Sequence, residues 1–174
     1  MTRRQAADEL LLGEWACLGL LAIGPAHGFA LAARLRPEGD VGRVWSLSRA
    51  LTYRALEQLE VRGLIVAAGE EQGIAGGTRT LFALTDDGRT ELRRWIESPV
   101  PHLRDLRSEL LLKLVLARLN GVRTTALVRH QREVVARMVE VTEAALVEAG
   151  DDVVALWRAE SARAAQRFLE SLTP

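Results

Sequence analysis

The stretch SLSRALTYRALEQLEVRGLI at 46–65 constrains this chain more than any other. It is an amphipathic run that stops at Gly63 and passes at once into two apolar segments around a glycine-rich turn. At 100° per residue, Leu51, Ala55, Leu56 and Leu59 share one face of a helix, with Arg49, Ala50, Tyr53, Arg54 and Glu57 on the other. LIVAAGE from Leu64 and TRTLFALT from Thr78 flank EQGIAGG and predict a β-hairpin. Upstream, ELLLGEWACLGLLAI at 9–23 predicts a mostly buried helix stopped by Gly24-Pro25. HGFALAARLRP predicts a short second helix that His27 helps to start and Pro37 ends. Downstream, Thr85 is placed as an N-cap, with Asp86 and Asp87 in the first turn of a fourth helix running to about Ser98. Three helices, a hairpin and a helix make a winged helix-turn-helix plan.

Pro99 and Pro101 punctuate the chain. We therefore expect a winged helix-turn-helix domain at 1–100 and a helical dimerisation domain at 101–174. The fold class is mostly α with a small β-wing. LRSELLLKLVLARL at 106–119 is apolar nearly all round, as a helix buried on several sides would be. Residues 124–149 predict a long helix in which Leu127, Val134 and Val141, and likewise Gln131, Met138 and Ala145, repeat at seven, giving a coiled-coil-like seam. A last helix from about Asp151 to Leu172 places Val154, Trp157, Ala164, Phe168 and Leu172 on one side, with Trp157 read as packing. Together these stripes offer more apolar surface than one small domain covers, so a homodimer is expected.

Composition narrows the function. Lys+Arg and Asp+Glu both number 23 in 174 residues, so the net charge is zero and any basic surface must be local. Lys113 is the only lysine. Cys17, the only cysteine, lies among Trp15, Leu18 and Leu20 and is read as a buried structural thiol. His27, His102 and His130 have no paired spacing, and no ligand cluster or nucleophile motif is present. We expect no enzyme activity, no metal and no cofactor. Arg3 and Arg4 are followed by acidic residues with no cleavage site, and the apolar runs are too short to span a bilayer. The expected location is cytoplasmic, without membrane contact.

Within the 46–65 helix the arginines lie at the N-terminal end and the glutamates follow. A cation in a first helical turn is unfavourable by roughly 0.3–1 kcal/mol, so the cluster points to an anionic partner. Helix-turn-helix proteins contact base edges through the N-terminal residues of the recognition helix. Double-stranded DNA is therefore the expected partner of Arg49, Tyr53 and Arg54, with Ser48 capping the helix or contacting phosphate. Arg79, beside the Gly-Gly turn, would reach from the wing. The alternative from another class is a winged-helix module that binds protein.

These residues also carry a resemblance. LGLLAIGPAHGFALAARL at 18–35, SRALTYRALEQLEVRGLI at 48–65, GGTRTLFALTDDG at 76–88 and RSELLLKLVLARL at 107–119 together resemble the PadR family of transcriptional regulators, in the right order. Phe29 stands where the family's usual form has tyrosine, losing only a hydroxyl. Ala50-Leu51-Thr52 and Thr80-Leu81-Phe82-Ala83 also depart from that form. The resemblance implies a homodimeric repressor of a roughly palindromic operator. It also implies a small aromatic effector near the subunit interface, where Trp15 and Trp95 are the expected ligand contacts.

Overall fold

The computed structural model describes residues 10–72 and 77–172. Arg3 and Arg4, the start of the first expected helix, and most of the glycine-rich turn lie outside the described residues. The chain forms two compact units. One holds the chain up to Ile96 together with Leu112–Val122; the other holds Glu97–Leu111 together with the chain from Arg123 onward.

The N-terminal unit is built around α1 (Leu12–Leu21), whose Trp15, Ala16, Cys17, Leu18, Leu20 and Leu21 are all buried. Glu14 accepts a hydrogen bond from the Leu11 amide at 2.8 Å and lies 3.9 Å from Arg62, fastening the start of α1. Helix α2 (Gly28–Arg34) begins on His27, whose Nδ1 accepts from the Ala30 amide at 3.0 Å, as the sequence suggests. The connection that follows is fixed by Arg34, which donates from Nε to Asp40 at 3.1 Å. That bond holds the Asp40 carboxyl below its usual range.

Helix α3 (Arg49–Val61) is capped by Ser48, whose Oγ accepts from the Leu51 amide at 3.2 Å. Its buried face is Thr52, Ala55, Leu56 and Leu59. Leu51, expected inside, is 50% exposed, and Thr52 takes the buried place because its hydroxyl donates to the Ser48 carbonyl at 3.0 Å. The helix ends in a Schellman arrangement: Gly63 adopts φ +69°, its amide bonds the Glu60 carbonyl, and Leu64 bonds the Leu59 carbonyl.

Strands β1 (Ala26–His27), β2 (Ile65–Gln72) and β3 (Thr78–Leu84) form an antiparallel sheet in the order β1-β3-β2. The hairpin β2–β3 is the expected one. The short β1, pairing Ala26 with Phe82 and His27 with Leu81, is unexpected, because two residues carry no periodic signal. Pairing runs from Ile65 opposite Leu84 to Gln72 opposite Thr78, with a register irregularity between Ala67 and Gly69. Helix α4 (Asp86–Glu97) starts on Thr85, whose hydroxyl accepts from the Gly88 amide at 3.0 Å and donates to the Gly63 carbonyl at 2.8 Å.

Helix α5 (Leu111–Leu119) completes this unit. Its Leu112, Leu116 and Ala117 are buried in the core formed by α1, α3 and α4. A Cβ on Gly19 would sit 2.5 Å from the Leu116 side chain, so the glycine lets α5 lie close against α1. Asn120 fastens the contact by donating to the Gly19 carbonyl at 2.9 Å. A boundary at residue 100 therefore does not describe the packing. A helix apolar nearly all round needs neighbours on several sides, and the N-terminal core supplies them.

The C-terminal unit opens at Pro99–Pro101, where Gln131 accepts from the Val100 amide at 2.7 Å and donates to its carbonyl at 3.0 Å. A 3₁₀ turn (Leu103–Asp105) and a π-helical turn (Leu106–Leu110) precede α5, where the sequence predicts one continuous α-helix. Helices α6 (Thr125–Ala149) and α7 (Val153–Ser171) form an antiparallel pair. Asp152 caps α7 through the Val154 amide at 2.8 Å, and Arg163 donates to Glu143 at 2.9 Å. The buried faces are Leu127, Val128, Gln131 and Val135 of α6, and Ala155, Ala159, Ala162 and Leu169 of α7. The expected seam is buried at Leu127 and Gln131 but not at Val141 and Ala145, which are exposed. Trp157, read as packing, is 72% exposed in the single chain.

Candidate nucleic-acid interface

The candidate face is built by how α3 is anchored. With Thr52, Ala55, Leu56 and Leu59 buried, the helix turns Arg49 and Arg54 outward, and Tyr53 lies partly exposed. Ser48 occupies the N-cap, so Arg49 is the first helical residue. Tyr53 leans on the start of α2. A Cβ on Gly28 would lie 2.8 Å from its ring, so only glycine leaves the phenol that place.

The Arg49 guanidinium carbon lies 5.7 Å from the centre of the Tyr53 ring and 5.5 Å from that of Phe29. Arg79, projecting from β3, lies 5.0 Å from the centre of the same Phe29 ring. The structure thus gathers Arg49, Tyr53 and Arg79 from helix and wing, with Ser48 one residue away. Arg54 is exposed further along α3 and joins no aromatic contact among the described residues. Neither Arg49 nor Arg79 makes an ion pair among the described residues. Glu71 lies directly opposite Arg79 in the hairpin, but its carboxylate is 3.6 Å from His27 Nε2.

Phe29 is the residue that sequence reasoning misses. In the sequence it is only a tyrosine lacking a hydroxyl, yet it is the meeting point of two arginines from separate elements. At 39% exposed, its ring offers a face to each guanidinium.

Trp15 and Trp95 do come together, but in the core of the N-terminal unit. Their rings stack with centroids 4.7 Å apart and planes within 6°. That is already stacking distance, so no planar molecule fits between them. Lys113 Nζ lies 4.9 Å from the Trp95 ring centre, and the lysine is buried. Cys17 is buried in the same core, and burial pushes its thiol up to about 12. Among the described residues no group of three or more His, Cys, Asp or Glu is placed to hold a metal ion. No helix of the described residues is long and apolar enough to cross a membrane.

Residues 17–94 match the transcriptional regulator PadR-like family. The chain is 29% identical over 100 residues to the negative transcriptional regulator PadR of Bacillus subtilis (strain 168), which covers 58% of this chain and 53% of that protein. The match thus spans about half the length of that relative. Among solved structures, Bacillus subtilis PadR in complex with operator DNA is 20% identical, with a TM-score of 0.48, covering 91% of this chain and 96% of the other. The PadR-like transcriptional regulator BC1756 from Bacillus cereus is 19% identical, with a TM-score of 0.43, covering 94% of each chain.

Proposed function

We propose, from the premise that this chain carries a PadR-like transcriptional regulator domain at residues 17–94, that it is a homodimeric repressor reading a roughly palindromic operator. The observation that carries the reading is the convergence of Arg49 and Arg79 on the Phe29 ring, with Tyr53 beside Arg49 and no carboxylate paired to either arginine among the described residues. Two cations gathered without an anion repel one another, and a phosphate backbone relieves that repulsion. The N-terminus of α3 adds its dipole and amide donors. Arg49 reads guanine, an interaction worth roughly 1–3 kcal/mol of base discrimination. Tyr53 and Arg54 extend the reading face, and Arg79 holds backbone from the wing. The zero net charge of the chain is no obstacle, since phosphate contact needs only a local cluster of cations such as Arg49 and Arg79.

The test is a salt series of binding to the DNA upstream of the gene. Arg49→Ala should relax specificity at one position per half-site. Arg79→Ala should weaken all sequences alike and reduce the salt slope by about one unit for each phosphate it no longer neutralises. Wild-type binding by both variants would sink the reading and favour a winged module that binds protein.

The C-terminal unit supports self-association. It leaves open a groove of about 990 Å³ lined by Leu103, Leu106, Leu110, Trp157, Ala164 and Phe168, among others. Its lining is largely apolar, and a second copy is the occupant that a two-fold operator requires. Light scattering at micromolar concentration checks this, and a clean monomer of 19.2 kDa would overturn it. A planar aromatic effector at Trp15 and Trp95 would have to open their stack. Tryptophan fluorescence titrated with a planar dye should then change on binding, and a response surviving Trp15→Ala and Trp95→Ala together would place the dye elsewhere.

A further inference from the structure

We infer that Phe29 is a positioning residue that holds the reading arginine and the wing arginine on one ring, so that α3 and the wing engage DNA as a single unit. The inference rests on the DNA-reading proposal above and adds a residue that is itself neither charged nor polar.

Arg49 belongs to α3 and Arg79 to β3, and each guanidinium carbon lies within 5.5 Å of the centre of the Phe29 ring, on α2. Long, exposed arginine side chains lose rotamer freedom when they bind, and a side chain already parked in place loses less. An aromatic ring is the one apolar surface that attracts a cation without neutralising it. A carboxylate in the same place would hold the arginines more firmly but would compete with phosphate. Glu71, opposite Arg79 in register, is the carboxylate in position to do so, and it lies at His27 instead. Gly28 makes the arrangement possible, because a side chain there would push away the Tyr53 ring that Arg49 also approaches. Phe29 remains partly exposed, so the ring is not held there by burial in the core.

The experiment compares operator binding by Phe29→Leu, Phe29→Tyr and Phe29→Trp at fixed salt, with helicity and melting followed in parallel. Phe29→Leu keeps an apolar side chain and removes the ring. Without the ring neither arginine has its cation–π partner on α2, and binding should weaken by roughly tenfold. Phe29→Tyr and Phe29→Trp, which keep a ring, should stay within about threefold of wild type. A double-mutant cycle supplies the readout that a purely structural role would not move. Arg49→Ala and Arg79→Ala should each cost less in the Phe29→Leu background than in wild type, and their mutual coupling should vanish there. Additive effects, or equal weakening in all three Phe29 variants, overturn the inference while leaving the DNA-reading proposal standing. If instead Arg49→Ala and Arg79→Ala have no effect in the wild-type background, the DNA-reading proposal itself fails.

Discussion

The two units spend their apolar residues differently. In the N-terminal unit, Leu18, Leu31, Leu56, Leu59, Ile65 and Leu116 are almost wholly shielded, and at the start of α3 Arg49 and Arg54 face solvent beside a few apolar residues such as Leu51. In the C-terminal unit, Val141, Val147, Val153 and Trp157 stand mostly in solvent, and much of the buried stripe of α7 is alanine. The first unit encloses a continuous core of large apolar side chains. The second has the composition of a core with one side missing. A core residue of the first unit therefore reports on the stability of a single chain, and an exposed apolar residue of the second tests the self-association proposed above.

Substitutions can break this contrast. Leu116→Ala should give the largest effect, destabilising by about 2–5 kcal/mol in urea unfolding, because the leucine is fully buried and the space left beside Gly19 cannot collapse easily. The same variant tests where α5 belongs. If the N-terminal unit keeps its full stability, the helix is not part of that core. Trp157→Ala should act on the other side of the contrast. It should weaken self-association by at least 30-fold, as expected for a buried tryptophan anchor costing about 2 kcal/mol or more, with unchanged circular dichroism of the monomer. Equal dimerisation by sedimentation would show that the exposed indole is surface and no more.

The smallest effect is expected at Cys17. Its folded-state thiol is raised from 9.0 to about 12 by burial first and by Glu14 second. The folded state thus binds the proton more tightly than the unfolded state. The stability linked to this group is full below about pH 9 and declines as pH rises toward 12. Wild type should therefore lose stability to urea faster than Cys17→Ala between pH 8 and 10, by on the order of 1 kcal/mol. Parallel curves would mean that the thiol is less sealed than its packing indicates.

Much of the fold is legible in the sequence because its signals are local. Ser48, Thr85 and Gly63 mark helix ends through their own hydrogen bonds or dihedral angles, and each does so in the structure. The order of the first four helices and the hairpin follows from such marks. What escapes is set by distant partners. Two residues become β1 only because Leu81 and Phe82 lie alongside. Thr52 displaces Leu51 from the buried face because a hydroxyl finds a carbonyl one turn back. Helix α5 crosses the expected boundary because Gly19, nearly a hundred residues earlier, leaves room for Leu116. The candidate site divides in the same way. Arg49, Tyr53 and Arg79 are visible as residue types in a familiar pattern. Phe29 has no signature of its own, since its role exists only where three elements meet.

Gln131 has a consequence for how this chain tolerates change. Its amide meets both polar groups of Val100, taking the place that the edge of a neighbouring strand would fill. The run between Glu97 and Leu103 is thereby measured against α6 as a ruler is against a mark. Adding or removing one residue before Val100 would present a different peptide unit to the same amide, and beside it stand prolines, which carry no N–H to offer. Its length is therefore specified to the residue, and insertions that an ordinary surface loop absorbs freely should be rejected here.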